Sequence, residues 1–364
     1  MPRSEDPRRM TRAILLMSSL ALVVSATGAE PIQAPRPALS DGQPAAGKFV
    51  KQIAEEYRGT NVYHALYLPL NWQPGANYPV IVEFAPNLYP QGHVTGRVDD
   101  SRMGYWLSGG RDFIWVVMPF VNSLKKENQI QWWGDEDATA LYCRTNLRRI
   151  CEQFGGDPNA VIVTGFSRGA IACGYIGLRD EAIADIWLGF LPHSHIDGGR
   201  FTANGARERL ARVRGRPTFI TYGSDDNGKP ESLKGAAILT ELKFPIEQRE
   251  LAGIGHEDGW LERDTPTRSD MRAWLQTVLK TRPGTHTLRG RVVDSAGNGI
   301  AGVRVQCGSW HGAFTNADGR YEIPSLVSGT RALSTTKTGF LITMQSVEIV
   351  IDQSDVTAPD IVAK

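Results

Sequence analysis

From about residue 48 to 282 the chain alternates short apolar runs with stretches whose apolar residues recur at helical spacing. Residues 62–68 alternate apolar and polar and predict an early antiparallel strand. Residues 79–85 and 113–118 are apolar runs of buried-strand length. Over 135–154 Ala138, Leu141, Tyr142, Leu147 and Ile150 keep helical spacing, and Gly155-Gly156-Asp157-Pro158 ends the helix. A strand over 161–164 follows, then a helix to about Leu178, a strand over 186–191 and a basic surface helix over 203–213. A strand over 217–223, a helix over 231–242, a strand over 246–251 and an amphipathic helix over 266–280 close the region. Strands separated by helices of this length imply an α/β class, with a mostly parallel sheet covered by helices on both faces.

The period changes after Thr281-Arg282-Pro283-Gly284-Thr285, so 283–287 reads as a linker. Beyond it, Leu288-Arg289-Gly290-Arg291-Val292 and Gly302-Val303-Arg304-Val305 have a period of two. The turn signals Ser295-Ala296-Gly297-Asn298-Gly299 and Asn316-Ala317-Asp318-Gly319 punctuate them. Residues 288–364 are therefore expected to form a separate small all-β sandwich. Asp318 reads as a turn residue rather than a calcium ligand.

Composition narrows the function classes. Lys+Arg 40 against Asp+Glu 39 leaves a net charge of +1, which offers no electrostatic support for nucleic acid as a partner. Arg8, Arg9 and Arg12 precede an apolar run ending in small residues, so 1–29 reads as an export signal. The run is too short and too serine-interrupted for a transmembrane helix, so no stable span is expected after signal removal. The expected location is outside the cytoplasm, secreted or periplasmic. Residues 30–47, rich in Pro, Ala and Gly, are expected to be a disordered lead-in to a core domain over 48–282. Cys143 and Cys151 lie about 12 Å apart along one predicted helix and cannot bridge, and free, mostly buried thiols are expected.

The sequence Gly165-Phe166-Ser167-Arg168-Gly169 joins the apolar run 161–163 to Ala170-Ile171-Ala172-Cys173. A strand turning sharply into a helix lifts a serine hydroxyl above a sheet, and the flanking glycines keep Cβ atoms out of the turn. A bland reading has Ser167 as a helix cap. As a nucleophile it needs a base, and the base needs an orienting acid. The strand ending at Tyr222-Gly223 runs into Ser224-Asp225-Asp226, which places either acid at the same rim of the sheet. Gly253-Ile254-Gly255-His256 follows the next strand and brings a loop-borne histidine there too. The chain order Ser, Asp, His is that of the α/β-hydrolase arrangement.

On these residues the stretch of about 60–282 resembles the α/β-hydrolase superfamily, and within it secreted esterases of the dienelactone-hydrolase and polyhydroxyalkanoate-depolymerase type. The resemblance implies Ser167 as nucleophile, His256 as base and Asp226 as acid, with Asp225 the alternative. It implies an oxyanion hole built from the Arg168 backbone N–H and a second donor after the third strand. There the sequence reads Glu83-Phe84-Ala85-Pro86-Asn87-Leu88 in place of the usual His-Gly. Pro86 has no N–H, so Asn87 or Leu88 is expected to donate, and Glu83 has no assigned role. The tail strands, with Thr315-Asn316-Ala317-Asp318-Gly319-Arg320-Tyr321, resemble the transthyretin-like carboxypeptidase regulatory-like domain, which implies a non-catalytic module.

Further side chains carry expectations. The Arg168 guanidinium reads either as a ligand for a substrate carboxylate or, preferentially, as part of a structural salt bridge. His193 and His195 in Pro192-His193-Ser194-His195-Ile196-Asp197 are candidate pocket-lining residues, with packing as the equal alternative; a metal site is not expected there. Trp133 in Trp132-Trp133-Gly134-Asp135 is a candidate aromatic wall. The expected activity is cleavage of carboxylic esters on a small-molecule or oligosaccharide substrate through an acyl-enzyme, with no cofactor. The alternatives are a prolyl-oligopeptidase-type peptidase and an inactive binding protein.

Overall fold

The computed structural model describes residues 35–213, 215–337, 345–349 and 355–363, so the expected export signal lies outside the described residues. An eight-stranded sheet organises the larger part. Its strands are β1 (Phe49–Gln52), β2 (His64–Tyr67), β3 (Tyr78–Phe84), β4 (Ile114–Met118), β5 (Gly156–Phe166), β6 (Gly189–His193), β7 (Thr218–Gly223) and β8 (Ile246–Leu251). Their spatial order is β1-β2-β4-β3-β5-β6-β7-β8. β2 pairs antiparallel with β1 and with β4, and every later neighbouring pair is parallel. The central strands β3 and β4 are buried along nearly their whole length because both faces are covered, which is why they read as unbroken apolar runs.

Seven helices connect the strands among the described residues: α1 (Met103–Ser108), α2 (Glu136–Phe154), α3 (Arg168–Tyr175), α4 (Glu181–Ala184), α5 (Ala206–Ala211), α6 (Lys229–Glu241) and α7 (Pro266–Thr281). Asp135 caps α2 by accepting from the Ala138 N–H, and Gly155 ends it with φ 75°. The sixth strand falls later than the apolar run 186–191 suggests. Trp187 is buried and its indole donates to the Gly177 carbonyl at 2.6 Å, so this part of the run packs as a connection. Ladder pairing begins at Gly189 and carries His193 to the end of β6.

The lead-in corrects an expectation. From residue 35 it is ordered along the open edge of the sheet rather than disordered. Ser40 bridges Val50, Ala46 bridges Leu68, and Leu39 packs on the main core. Arg36 stacks over Phe49 at 5.6 Å and donates to the Asp99 carbonyl at 3.0 Å. A segment too polar to build its own core is held here by covering an edge strand that already exists.

The tail forms β9 (His286–Val293), β10 (Arg304–Cys307), β11 (His311–Phe314), β12 (Arg320–Leu326), β13 (Gly329–Thr336), β14 (Gln345–Ile349), β15 (Asp355–Thr357) and β16 (Ile361–Val362). One sheet runs β12-β9-β15 with β16 also on β9, and the other runs β11-β10-β13-β14. Leu288, Val292, Val305, Ile323 and Leu326 fill a core of their own. The linker is packed: Gly284 has φ 68°, and a Cβ there would stand 2.1 Å from the Gly215 carbonyl oxygen.

The sandwich docks through side chains that β10 to β13 and their turns present to the larger part. Trp310 enters the main core and donates to the Pro158 carbonyl at 2.8 Å. Arg331 pairs with buried Asp185 at 2.8 Å, and buried Arg216 donates to the Ser325 carbonyl at 2.9 Å. His311 contacts Asn159 Oδ1 at 3.1 Å and the Asp185 carbonyl at 2.8 Å. Trp310 and His311 reach Pro158 and Asn159 at the N-terminal end of β5, and Asp185 and Arg216 precede β6 and β7, whereas Ser167 follows the C-terminal end of β5, roughly 25 Å away at about 3.3 Å per residue. Among the described residues, none of these docking contacts lies at the rim that carries Ser167.

The four cysteines are free, and burial raises the pKa of each thiol. No helix among the described residues is long and apolar enough to cross a membrane.

Burial, with the Arg216 charge nearby, holds the His311 imidazole down at about 3. The unfolded chain takes up a proton there below about 6.5, while the folded chain does not. The stability this group contributes is thus present above that value and is lost as pH falls toward 3. The expected slope is about 1.4 kcal/mol per pH unit for this one site. Urea midpoints at pH 7 and pH 5 should fall less in His311→Gln than in the parent chain; an equal fall would contradict the docking described.

Candidate active site

The elbow between β5 and α3 sets the site. Ser167 has φ 56° and ψ −118°, a conformation rarely held by a residue with a side chain. The surroundings enforce it by leaving no room on either flank. A Cβ at Gly165 would lie 2.4 Å from the Gly169 carbonyl carbon, and one at Gly169 would lie 2.0 Å from the Phe84 carbonyl oxygen. Only glycine allows β5, α3 and β3 to approach so closely.

Three side chains distant in sequence meet at this rim. His256 Nε2 lies 2.9 Å from Ser167 Oγ, and His256 Nδ1 lies 2.8 Å from Asp226 Oδ1. Asp226 also accepts from the Gly228 N–H at 2.6 Å and from the Ser194 hydroxyl. Burial alone would raise the Asp226 carboxyl, but the hydrogen bonds from His256, Ser194 and Gly228 outweigh it and hold the group below the usual carboxylate range. Asp225 is exposed and accepts from the Ser224 hydroxyl at 2.8 Å, so it is Asp226 that faces the imidazole.

Arg168 opens α3, so its N–H has no partner within the helix and lies next to the serine. Across from it, the Asn87 side chain is engaged on both ends: its amide donates to the Leu88 carbonyl at 3.2 Å, and its oxygen accepts from the Trp132 N–H at 2.7 Å. The Leu88 N–H donates to the Ile130 carbonyl at 2.9 Å. Of the Asn87 and Leu88 donors considered from the sequence, the Asn87 backbone N–H is the one without an acceptor among the described residues.

The Arg168 side chain is turned inward and has no salt-bridge partner among the described residues. It is 1% exposed, and its guanidinium donates to the carbonyls of Pro86 at 2.6 Å, Trp132 at 2.7 Å, Gly96 at 3.2 Å and Gln129 at 3.3 Å. It stacks over Phe120 at 4.1 Å, and burial pulls its pKa down to about 9. One side chain thus ties together the loops that frame the serine. Glu83 acquires a role as well. It is buried and accepts from the N–H groups of Arg102, Met103 and Gly104 and from the Trp115 indole at 2.8–3.2 Å. Burial raises its carboxyl against those hydrogen bonds, and the group closes the N-terminus of α1.

Two pocket expectations are corrected. His193 is fully buried behind the site. Its Nδ1 is 2.8 Å from Thr221 Oγ1, and its Nε2 is 2.8 Å from the Glu257 carbonyl and 3.0 Å from the Trp260 indole nitrogen. It supports the loop carrying His256 and has no face toward solvent. Trp133 packs inward against Tyr175 at 4.7 Å and Phe120 at 5.9 Å, while its neighbour Trp132 reaches the surface. His195 does border the site, with its ring 5.3 Å from His256. Sequence reasoning missed Ser194, Tyr89 and Phe201, whereas Trp132 belongs to the stretch it singled out as an aromatic wall. Ser194 meets Asp226 and Tyr89 meets His256 through folding alone, and no local pattern marks them.

Residues 287–363 match the family model of the carboxypeptidase regulatory-like domain. No protein of curated function matches the chain in sequence. Among solved structures, the chain is similar to a Bacteroides ovatus protein described as a dipeptidyl aminopeptidase IV, at TM-score 0.45 and 12% identity over 64% of this chain and 35% of that one. It is also similar to a ferulic acid esterase at TM-score 0.44 and 16% identity, over 64% of this chain and 96% of that one. A sugar hydrolase from Lactococcus lactis gives TM-score 0.45 and 14% identity, over 65% of this chain and all of that one. The chain thus spans about a third of the length of the first of these structures. From its strand order and its strand–serine–helix elbow, the chain combines an α/β-hydrolase fold with a C-terminal module similar to the carboxypeptidase regulatory-like domain.

Proposed function

We propose that this chain is a serine hydrolase that cleaves carboxylic esters through an acyl-enzyme, on a small-molecule or oligosaccharide ester outside the cytoplasm. The observation that carries the reading is the unbroken relay from Ser167 Oγ to His256 to Asp226, at 2.9 and 2.8 Å. His256 takes the Ser167 proton as the oxygen attacks the ester carbonyl. Asp226, kept ionised by its three donors, fixes the imidazole tautomer and stabilises the imidazolium. The carbonyl oxygen becomes an oxyanion between the N–H groups of Arg168 and Asn87. His256 then gives its proton to the leaving alcohol, and water attacks the acyl-enzyme by the same route in reverse. The preference for esters over peptides rests on the esterase resemblance of the motif residues, and the export on residues 1–29.

Ser167→Ala is expected to reduce hydrolysis of p-nitrophenyl acetate to the buffer rate, with the fold intact by circular dichroism. A folded parent chain that leaves this ester and a panel of other esters intact while cutting a peptide would overturn the ester reading. Cleavage of neither would favour a binding protein. A second comparison separates the two acids. Asp226→Asn should lower kcat on the order of 10⁴-fold, whereas Asp225→Asn, at an exposed position, should stay within about threefold. Equal losses would contradict the assignment of Asp226.

A further inference from the structure

Five rings form a continuous arc that passes through the triad. Tyr89 stands edge-on to His256 with centroids 6.2 Å apart, and His195 faces His256 at 5.3 Å. Phe201 lies 6.2 Å from His195, and Trp132 lies 4.8 Å from Phe201. Tyr89, Trp132 and Phe201 keep 40%, 38% and 38% of their surface exposed, while most aromatic rings of the core are sealed. Leaving several large rings in water forgoes hydrophobic stabilisation that inward packing would bring.

The far end of the arc is held rigidly. Trp132 sits at φ 54°, a left-handed conformation uncommon for a bulky residue. Its N–H donates to Asn87 Oδ1 at 2.7 Å, and its carbonyl accepts from Arg168 at 2.7 Å. The two residues that supply the oxyanion donors therefore also fix the tryptophan. A strained backbone that presents an apolar ring to solvent on the loop tied to Arg168 is the geometry of a platform for a ring with an apolar face.

His195 adds one polar contact. Its ring is 7% exposed, and its Nδ1 is buried without a hydrogen-bond partner. That nitrogen lies against Gly228, where a Cβ would stand 2.7 Å away. Burial lowers the imidazole pKa to about 4, so the ring is neutral near pH 7. A buried N–H without an acceptor costs more than a bare lone pair, which places the proton on the opposite nitrogen, Nε2. Nε2 makes no hydrogen bond among the described residues and is not one of the nitrogens closed off from solvent.

Building on the serine-hydrolase reading, we infer that the site is shaped for an ester carrying an oxygen-bearing six-membered ring with an apolar face beside the scissile bond. The ring lies on Trp132 and Phe201 and accepts a hydrogen bond from His195 Nε2. A phenolic acid would bring that ring on the acyl side, and a sugar would bring it on the alcohol side.

Steady-state kinetics by pH-stat on three esters tests this: methyl 4-hydroxycinnamate, a mono-O-acetylated methyl xyloside, and ring-free ethyl acetate. One of the two ring esters is expected to exceed ethyl acetate in kcat/KM by at least about tenfold, and the winner identifies which side carries the ring. Trp132→Ala and Phe201→Ala should each cut that ratio by about tenfold, chiefly through KM. His195→Phe should lower it by a similar factor, with recovery in His195→Gln, which restores a donor. Hydrolysis of ethyl acetate with no preference for either ring ester, or a ratio unmoved by all three variants, would overturn the inference and leave the hydrolase reading standing. Failure to cleave any of the three while p-nitrophenyl acetate is hydrolysed would overturn the inference alone, and failure on all four would remove both.

Discussion

The contact on which the site depends is the approach of α3 to β3 at Gly169, where no atom fits between the helix backbone and the Phe84 carbonyl. Any side chain there would push the helix off the sheet and carry the Arg168 N–H away from the loop that holds Asn87. The same closeness forces Ser167 into its left-handed turn, because the chain must reverse from strand to helix within one residue. Strain at the serine is therefore the local cost of putting its hydroxyl and the amide N–H groups on one rim.

The Arg168 guanidinium secures what that approach begins. A buried cation without a carboxylate is expensive, and the depression of its pKa to about 9 records the expense. Four carbonyls, from residues 86, 96, 129 and 132, and the face of Phe120 offset it. Glu83 does the complementary work one strand away, taking three amides of the loop into α1. Charges in this half of the molecule are used to fix backbone, and the frame they fix is what holds the distances between Ser167, His256 and Asp226. Asp226 is anchored in the same way, by Ser194 and Gly228 in addition to the imidazole.

What could be read along the chain was whatever depends on near neighbours. Apolar runs marked the buried strands, Asp135 and Gly155 marked the ends of α2, and the glycines beside Ser167 marked the turn. The C-terminal ends of parallel strands also locate a rim, and that is where the sequence puts Asp226 and His256 beside Ser167. The rest depends on partners set by folding. Nothing near Glu83 in sequence reveals three amides some twenty residues on, and nothing beside Arg168 reveals carbonyls from residues 86, 96, 129 and 132. His193 looked like a pocket residue because it ends a strand at the right rim; the Thr221 hydroxyl and the Glu257 carbonyl turn it inward. Residues 35–47 looked unstructured because they lack a core, yet the edge of β1 gave them one to share.

The central claim, that the Ser167 hydroxyl is an activated nucleophile, is tested most directly by covalent trapping. The folded protein would be treated with a fluorophosphonate and digested, and the adduct located by mass spectrometry. The account predicts one stoichiometric phosphonyl group on the peptide containing Ser167, formed far more slowly when His256 is replaced by Ala. A folded protein that stays unmodified, or an adduct at another residue with Ser167 untouched, would contradict it.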